Sequence, residues 1–540
     1  MTLCQVVIIL VLLFNCNYFT SADDSEFSSE RETAISEENL KSTCHHEDVT
    51  RYLNWVAIKY SSVARLVSIG NSTQGRELWT IIISEDSTSR RLLKPQVKFV
   101  GNLNGFSGPA CVLLIKLIKF LLENYDTDAE LKHLIDKAEV HIIPNMNPDG
   151  YAKSLPGECF KKDGRLNANG VDLNRNFPDI FHPHDDHEDD PPLEMETKAM
   201  MGWIKQNNFI VSASFISGAQ VVSYPYDTSP QEGYVQNTAH ETPDDETFQF
   251  LARNYVGFVN EQHNTTDWNC PTLKRQFQGG IINGAEWHSV SGTMMDFNYN
   301  SGVFELLIGV SCCRNDNNPK NLEHIWRINK FAMISLIREA EYSFRGQVVD
   351  SETNEPMSNV EVCIFVDRSE HLEGEGPPMP FFTNSRGELW RVLLPGRYRL
   401  KAFFKNYITK AVPFEISMEG PLELRIEMDS KGKRRRLRNK QVNGVLKPDR
   451  FTESSPHHQQ ILHSNDPFFD DIEAARVFEE IRHLVNHPRS NMSAETPDSD
   501  FHELEAFPRT LTVTHNGKGL EKNTYFSVLI AILTLFVALS

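Results

Sequence analysis

The stretch GRLNANGVDLNRNFPD, residues 164–179, does most to decide how this chain folds and what it does. A second turn-rich stretch, NMNPDGY at 145–151, follows the apolar run 138–143 after Pro144. Asn, Asp, Gly and Pro at this density mark loops, and the apolar run has the length of a buried strand. The sequence therefore predicts a strand that opens into polar loops.

Apolar strands and helices alternate around these loops. The predicted strands are 96–100, 138–143, 209–215 and 303–310, and the predicted helices are 109–125, 245–260 and 321–341. Such alternation predicts one α/β domain over residues 48–341, with a mainly parallel mixed sheet and helices on both faces. Ligands of these folds bind at the carboxyl ends of the strands, so the polar loops are expected to meet at one rim.

The pattern changes after Ser343. Short apolar runs at 347–349, 360–365, 389–394, 398–403 and 422–426 are separated by Asp, Asn, Pro and Gly. Closely spaced short strands predict a small all-β sandwich, which we assign to residues 342–428 and expect to be structural.

The net charge of the chain argues against nucleic-acid binding. The 540 residues carry 54 Lys and Arg against 73 Asp and Glu, a formal charge of −19. Nucleic-acid binding needs a basic face, so no nucleic-acid partner is expected.

Residues 23–47 form an acidic segment that predicts a flexible arm. Residues 429–517 are a basic linker and a polar tail, and the run KGKRRRLRNK at 431–440 is either a solvated linker or a processing site.

The longest apolar runs lie at the two ends. Residues 1–22 have the order of a secretory signal peptide. Residues 518–540 end in an apolar run with no basic cytoplasmic flank after it, which predicts a GPI-attachment signal with Gly517 as the attachment site. A short C-terminal transmembrane helix is the alternative. The expected location is the extracellular face of the plasma membrane, with the lipid anchor in the outer leaflet.

Cysteines and glycosylation sequons agree with a secreted chain. Seven cysteines lie beyond the signal, so some should pair and at least one should not. The sequence leaves their connectivity open. Asn71, Asn264 and Asn491 each begin an Asn-X-Ser/Thr sequon.

Six segments occur in the order and spacing of one enzyme family. They are GRELW (75–79), NMNPDGY (145–151), GRLNANGVDLNRNFPD (164–179), SYPYD (223–227), DFNY (296–299) and SCC (311–313). Over residues 48–428 the chain resembles the zinc metallocarboxypeptidases of the N/E type, followed by their transthyretin-like domain. The resemblance implies a zinc enzyme that removes one residue from the C-terminus of a peptide.

The residues that the resemblance assigns to zinc and catalysis are replaced. Asn104 and Ser107 stand at the His and Glu of the first zinc turn, and Ile216 stands at the second His. In the same way, Gly309 takes the place of the general-base Glu and His288 that of a Tyr. Zinc needs nitrogen, sulfur or carboxylate donors, and glycine cannot accept a proton. We therefore expect no metal site, no zinc cofactor and no catalytic residue.

A different subset survives. By resemblance, Arg165, Asn174 and Arg175 hold the terminal carboxylate and carbonyl of a peptide, and arginine suits a carboxylate because its fork binds bidentately. Asp227 stands where the family's side-chain pocket selects basic residues. However, Met295 replaces the family's Gln in that pocket, which puts basic specificity in doubt. Ordinary structural ion pairing is the alternative for the two arginines.

Three functions remain open. The chain is expected to be a non-catalytic cell-surface protein that binds peptide or protein C-termini or acts as an extracellular interaction module. A second hypothesis is an active carboxypeptidase with a displaced metal site, for which the His- and acid-rich stretch 182–190 offers donors and His288 a base. The third is a structural or adhesion protein whose cleft is vestigial.

Overall fold

The computed structural model describes residues 37–86, 90–179, 181, 192–229, 238–263, 270, 273, 277–366, 379–417 and 420–432. The chain divides into two units, 1–464 and 465–540, and all described residues belong to the first. Several predictions lie outside them: the signal, most of the basic run, the 182–190 stretch, the C-terminal apolar run, Asn264, Asn491 and Gly517.

A twisted eight-stranded sheet forms the centre of the first domain. Its strands are β1 Ala64–Asn71, β2 Glu77–Ile83, β3 Gln96–Gly101, β4 Glu139–Ile143, β5 Phe209–Ile216, β6 Ala219–Tyr224, β7 Ile281–Asn283 and β8 Phe304–Ser311, in the spatial order β1-β2-β4-β3-β5-β8-β6-β7. The four central strands β4, β3, β5 and β8 are parallel, while β1, β2 and the β6–β7 pair join antiparallel to their inner neighbours. The predicted mainly parallel mixed sheet is confirmed.

Helices cover both faces of this sheet. They are α1 His46–Lys59, α2 Gly108–Asn124, α3 Ala129–Lys137, α4 Pro148–Lys153, α5 Met195–Gln206, α6 Asp245–His263, α7 Gly284–His288, α8 Met294–Asn300 and α9 Pro319–Glu341. One buried core joins α1, α2, α6 and α9 to side chains such as Val97 and Phe99. The alternate residues Val100 and Ile143 face the opposite core with α5 and α8. Successive strand residues point to opposite faces, so both sides of the sheet are buried.

The predicted elements agree with these bounds to within three residues. Strands 96–100 and 303–310 correspond to β3 and β8, and helices 109–125, 245–260 and 321–341 correspond to α2, α6 and α9. Long apolar or amphipathic segments carry enough periodicity for such assignments. The short elements α7, α8 and β7, of three to seven residues, have no such period and were not predicted.

Residues 344–428 form the predicted β-sandwich. Its strands are β9 Phe344–Asp350, β10 Glu361–Val366, β11 Phe381–Phe382, β12 Glu388–Arg391, β13 Gly396–Phe403, β14 Lys410–Ile416 and β15 Glu423–Met428. They form two sheets, β11-β10-β13-β14 and β12-β9-β15, around one apolar core. Strand β14 was not predicted, because Pro413 interrupts its sequence. Proline is tolerated there because β14 is an edge strand of its sheet.

Three disulfides tie the first domain together, joining Cys44 to Cys111, Cys159 to Cys313 and Cys270 to Cys312. The seventh cysteine, Cys363, is buried in β10 and lies in none of them. The Cys44 bond attaches the last residues of the segment predicted as a flexible arm, so at least residues 44–47 belong to the folded body.

None of the helices in the described part of the chain is both long and apolar enough to cross a membrane.

Candidate functional site

The turn after β3 lies where three loops meet. Its close packing requires glycine, because a Cβ on Gly101 would lie 2.5 Å from the Pro144 carbonyl oxygen and one on Gly105 would lie 2.4 Å from that of Gly164. Asn102 adopts φ 58° and donates its side-chain amide to the Asn145 side-chain oxygen at 2.7 Å. The two turn-rich stretches of the sequence therefore meet at the carboxyl edge of the sheet, as predicted.

Asn104 and Ser107 are buried within this turn. Ser107 is fully inaccessible, and its hydroxyl oxygen accepts the backbone N–H of Ser217 at 3.2 Å. The Asn104 side-chain oxygen is buried and has no hydrogen-bond partner among the described residues. The Ser107 oxygen thus already accepts a backbone hydrogen bond, and the Asn104 oxygen is an uncharged amide acceptor.

Ile216 ends β5 beside these residues. It is 8% exposed and packs with Met295 and Leu307, with Trp287 against the cluster. A hydrocarbon cluster therefore occupies the position that the resemblance assigns to the second zinc-binding His.

The residues at positions 104, 107 and 216 do not fit a zinc ion. They offer an amide oxygen, a hydroxyl oxygen that already accepts a hydrogen bond, and a hydrocarbon, whereas protein zinc sites use imidazole, thiolate or carboxylate. Within the described parts of the chain, no three His, Cys, Asp or Glu side chains cluster closely enough to hold a metal ion.

Gly309 faces a crowded space on β8. It pairs in register with Ile216 of β5 and Val221 of β6. A Cβ at Gly309 would lie 2.7 Å from the Ala219 carbonyl oxygen and 3.4 Å from the Ala219 Cβ. The backbone of β6 thus takes up the space that a side chain at this position would need.

His288 is an exposed residue at the end of α7. Partial shielding of its ring from water, together with the positive charges of Arg175 and Arg165, lowers its pKa below the usual value. The neutral form of His288 is therefore favoured, and the ring lies within the electrostatic field of both arginines.

Arg165, Asn174 and Arg175 are positioned by a short 3-10 turn, Leu173–Arg175. The Asp172 side chain accepts the backbone N–H of Asn174 at 3.1 Å and the Arg165 Nε–H at 2.8 Å. The Asn174 side-chain oxygen accepts the backbone N–H of Met294 at 3.0 Å, which joins the turn to α8. The sequence-predicted trio is thus brought together beside the apolar cluster.

Arg175 is the least satisfied of the three. Its guanidinium is partly buried and donates to the Asn174 carbonyl oxygen at 2.6 Å. No carboxylate of the described residues lies within 4.0 Å of it, although Asp172 and Asp227 influence it from further away. Burial lowers the pKa of Arg175, but arginine remains charged at neutral pH. Most of its five N–H donors are available to a ligand.

Asp227 interacts electrostatically with Arg175 and is only 5% exposed. Burial raises its pKa to about 6, and the Arg175 charge and a hydrogen bond from Thr293 oppose the rise. Its backbone N–H donates to Asp296 at 2.8 Å. Burial and the neighbouring Asp227 raise the pKa of Asp296 well above its ordinary value. Each of these two carboxyls therefore holds its proton to a higher pH than an exposed aspartate, because burial disfavours the charged form.

The comparisons with known proteins identify the family. Residues 49–332 match the zinc carboxypeptidase family model, so the chain belongs to the zinc carboxypeptidase family. It is 36% identical to mouse carboxypeptidase M over 370 residues, 68% of this chain and 80% of that protein. It is 33% identical to rat carboxypeptidase D over 383 residues, 70% of this chain but only 26% of that protein. Carboxypeptidase A of Helicoverpa armigera, a solved structure, is 17% identical with a TM-score of 0.44, covering 59% of this chain and 80% of that one.

Sequence reasoning missed two residues at the site's mouth. Arg314 directly follows the adjacent residues Cys312 and Cys313. Its position next to a cysteine that could form a disulfide was the only sequence signal for this cation. Phe160 follows Cys159 in the same way. Because cysteine connectivity could not be read from the sequence, the Cys159–Cys313 disulfide that brings the two together was not predictable.

Proposed function

We propose that this zinc carboxypeptidase family member is non-catalytic and binds the C-termini of peptides or proteins. The observation that supports this most is Arg175: a partly buried guanidinium with no ion-pair partner among the described residues, beside positions that offer no zinc ligand set. A cation held without a carboxylate is suited to receive one from a ligand. Arg165 and Asn174 flank it and are held in place by Asp172 and α8.

The proposed location is the outer surface of the cell. Three disulfides among the described residues support an oxidising compartment, and the apolar C-terminal run supports a lipid anchor at Gly517. Asn71 begins the one sequon within the described residues, and it lies at the end of the edge strand β1. In this location the protein would meet extracellular polypeptides and would not process them.

Calorimetry with matched peptides tests the proposal. A peptide with a free C-terminal carboxylate is expected to bind the full chain at least about tenfold more tightly than the same peptide amidated at its C-terminus, because charge-assisted hydrogen bonds contribute about 1.5–3 kcal/mol each. Arg175→Ala should remove most of this difference. Arg397→Ala, an exposed arginine on β13, is the matched control and should bind like the unaltered protein. Equal binding of acid and amide, or binding unchanged by Arg175→Ala, would overturn the proposal.

Affinity for the peptide carboxylate is expected to rise as the pH falls from 7 to 5. Asp227 has a pKa of about 6 and influences Arg175 electrostatically, so its negative charge opposes a bound anion and disappears over this range. The peptide's own carboxylate stays ionised, since its pKa is about 3.5. By linkage, Asp227 also stabilises the fold below the unfolded pKa of about 3.9, and this contribution is lost as the pH rises through 6.

The measurement is the dissociation constant across this pH range for the unaltered protein, Asp227→Asn and His288→Ala. Asp227→Asn should bind more tightly at pH 7 and lose the step near pH 6. His288→Ala should keep that step, because it leaves the Asp227 carboxyl in place. A step that persists in Asp227→Asn would contradict the assignment.

A further inference from the structure

Three guanidinium groups form a row that leads from Arg175 towards the outside of the site. Arg175 and Arg165 both act on His288. Arg165 then lies 6.0 Å from the centroid of the Phe106 ring, and Arg314 lies 5.7 Å from the same centroid. Phe106 is itself only 3% exposed, so the second and third cations both lie near one buried ring. Arg314 therefore extends the positive charge beyond the carboxylate site.

A rigid loop lies at the outer end of this row. The Cys159–Cys313 disulfide joins the loop to the segment after β8, and the Arg314 backbone N–H donates to the Cys159 carbonyl oxygen at 3.3 Å. The Arg314 guanidinium also donates to the Phe160 carbonyl oxygen. These bonds fix the Phe160 backbone, yet its ring is 68% exposed. Leu155 and Leu166, on the same loop, are 49% and 40% exposed.

The local charge is opposite to that of the whole chain. The formal charge of the protein is −19, but no carboxylate among the described residues lies within ion-pair distance of Arg175 or Arg314. Arg165 has one partner, Asp172, at 2.8 Å. A positive row in an acidic protein attracts acidic ligands and disfavours basic ones.

The apolar cluster gives no compensating site for a basic side chain. Ile216, Met295 and Leu307 offer no hydrogen-bond acceptor to an ammonium or guanidinium group except the weak sulfur of Met295. Asp227 is buried, and Gly284 packs so closely on it that a Cβ at Gly284 would lie 2.0 Å from the Asp227 carboxylate oxygen. The site is thus positive along its length and apolar at its base.

We propose that the row Arg175–Arg165–Arg314, together with Phe160, binds the last few residues of an acidic polypeptide, with the terminal carboxylate at Arg175 and an upstream Asp or Glu at Arg314. This inference rests on the proposed function, because it extends the same site. An extended chain advances about 3.3 Å per residue, and Arg165 and Arg314 both lie near the Phe106 ring, so the contact with Arg314 is assigned to the second to fourth residue from the C-terminus. Phe160 contacts an apolar side chain next to it.

Three peptides that differ only at the second to fourth residues from the C-terminus test this inference. These residues are Glu, Gln or Lys, and the full chain is titrated with each peptide. The Glu peptide is expected to bind about fivefold more tightly than the Gln peptide and the Lys peptide more weakly still, as for partly exposed ion pairs. Arg314→Glu should reverse the order of the Glu and Lys peptides. Phe160→Ala should weaken all three about threefold, while Phe382→Ala, a 52% exposed phenylalanine on β11, should have no effect.

Reversal of charge preference distinguishes recognition from support of the loop. If Arg314 only held the Phe160 backbone, Arg314→Glu would weaken all three peptides alike, and the inference would be wrong. Equal affinity of the unaltered protein for the Glu and Lys peptides, with Arg175-dependent binding intact, would also overturn it while leaving the proposed function standing. If no free-carboxylate peptide binds in preference to its amide, the proposed function itself fails.

Discussion

Metal analysis of the full chain is expected to find far less than one zinc per chain, and a C-terminal trimming assay is expected to find no chelator-sensitive turnover. The reason is the donor set. Asn104, Ser107 and Ile216 supply no imidazole or carboxylate, and Gly309 cannot accept a proton from water. A bound zinc supplies an activated water of pKa about 7, and a general base contributes roughly 10²–10⁴-fold in rate. Without either, turnover should fall by at least about 10⁴-fold relative to an active family member.

Mouse carboxypeptidase M, expressed and assayed in parallel, is the positive control for both measurements. A stoichiometric zinc ion together with chelator-sensitive release of C-terminal residues would refute the non-catalytic proposal and favour a displaced metal site. Zinc without turnover would instead indicate a structural ion elsewhere. It would leave the binding proposal in place, and Arg175→Ala would then be tested in the metal-loaded protein.

A carboxylate placed at position 309 alone is not expected to produce turnover. A Cβ at Gly309 would lie 2.7 Å from the Ala219 carbonyl oxygen, a separation that real Cβ atoms essentially never show. Gly309→Glu therefore has to displace the backbone of β6, and overpacking of this kind costs about 1–3 kcal/mol. Gly309→Ala tests the same contact without adding charge, and it should destabilise the protein in the same direction.

The sequence was sufficient for the frame of the site. Arg165, Asn174 and Arg175 lie in motifs whose order and spacing indicate the family, and the loops that carry them follow strands long enough to predict. Parallel strands bring their carboxyl ends to one edge, so a linear pattern predicted a shared site. The positions that the resemblance assigns to the zinc ligands and the base, 104, 107, 216 and 309, were located from the same motifs.

The side-chain contacts within the site could not be predicted in this way. Ile216, Met295 and Leu307 come from β5, α8 and β8, and only the folded sheet brings them into one cluster. The approach of Ala219 to Gly309 depends on the path of β6, which no local pattern encodes. Such contacts depend on tertiary packing, which is not contained in periodicity or motif spacing.

A buried ion pair beneath the site is another contact that the sequence did not reveal. Lys98 and Glu305 lie inside apolar strand sequences, at 0% and 1% side-chain exposure, and their charged groups are 3.1 Å apart. They lie on β3 and β8, with β5 between them. The register aligns Lys98 with Ser212 and Ser212 with Glu305, so the pair spans the middle strand. Glu305 also accepts hydrogen bonds from Ser212, Ser214 and Asn298, at 2.8, 2.5 and 2.6 Å.

Lys98→Met is expected to reduce the free energy of unfolding by about 3–5 kcal/mol, because it leaves a buried carboxylate without its cation. The double variant Lys98→Met/Glu305→Gln should lose less than the sum of the two single changes. It removes both charges, yet Gln still has an acceptor for Ser212 and Asn298. Urea unfolding of the four proteins gives the coupling energy directly.

The matched control is the exposed pair Lys161–Glu158, 3.2 Å apart with side chains 52% and 42% exposed. Lys161→Met should change stability by less than about 1 kcal/mol, since exposed pairs contribute little. The contrast matters for function, because Ser214 and Glu305 lie two and four residues before Ile216 and Gly309 on the same strands. If Lys98→Met lowers the free energy of unfolding no more than Lys161→Met does, the Lys98–Glu305 pair does not stabilise the sheet. The positions of Ile216 and Gly309 would then need another structural explanation.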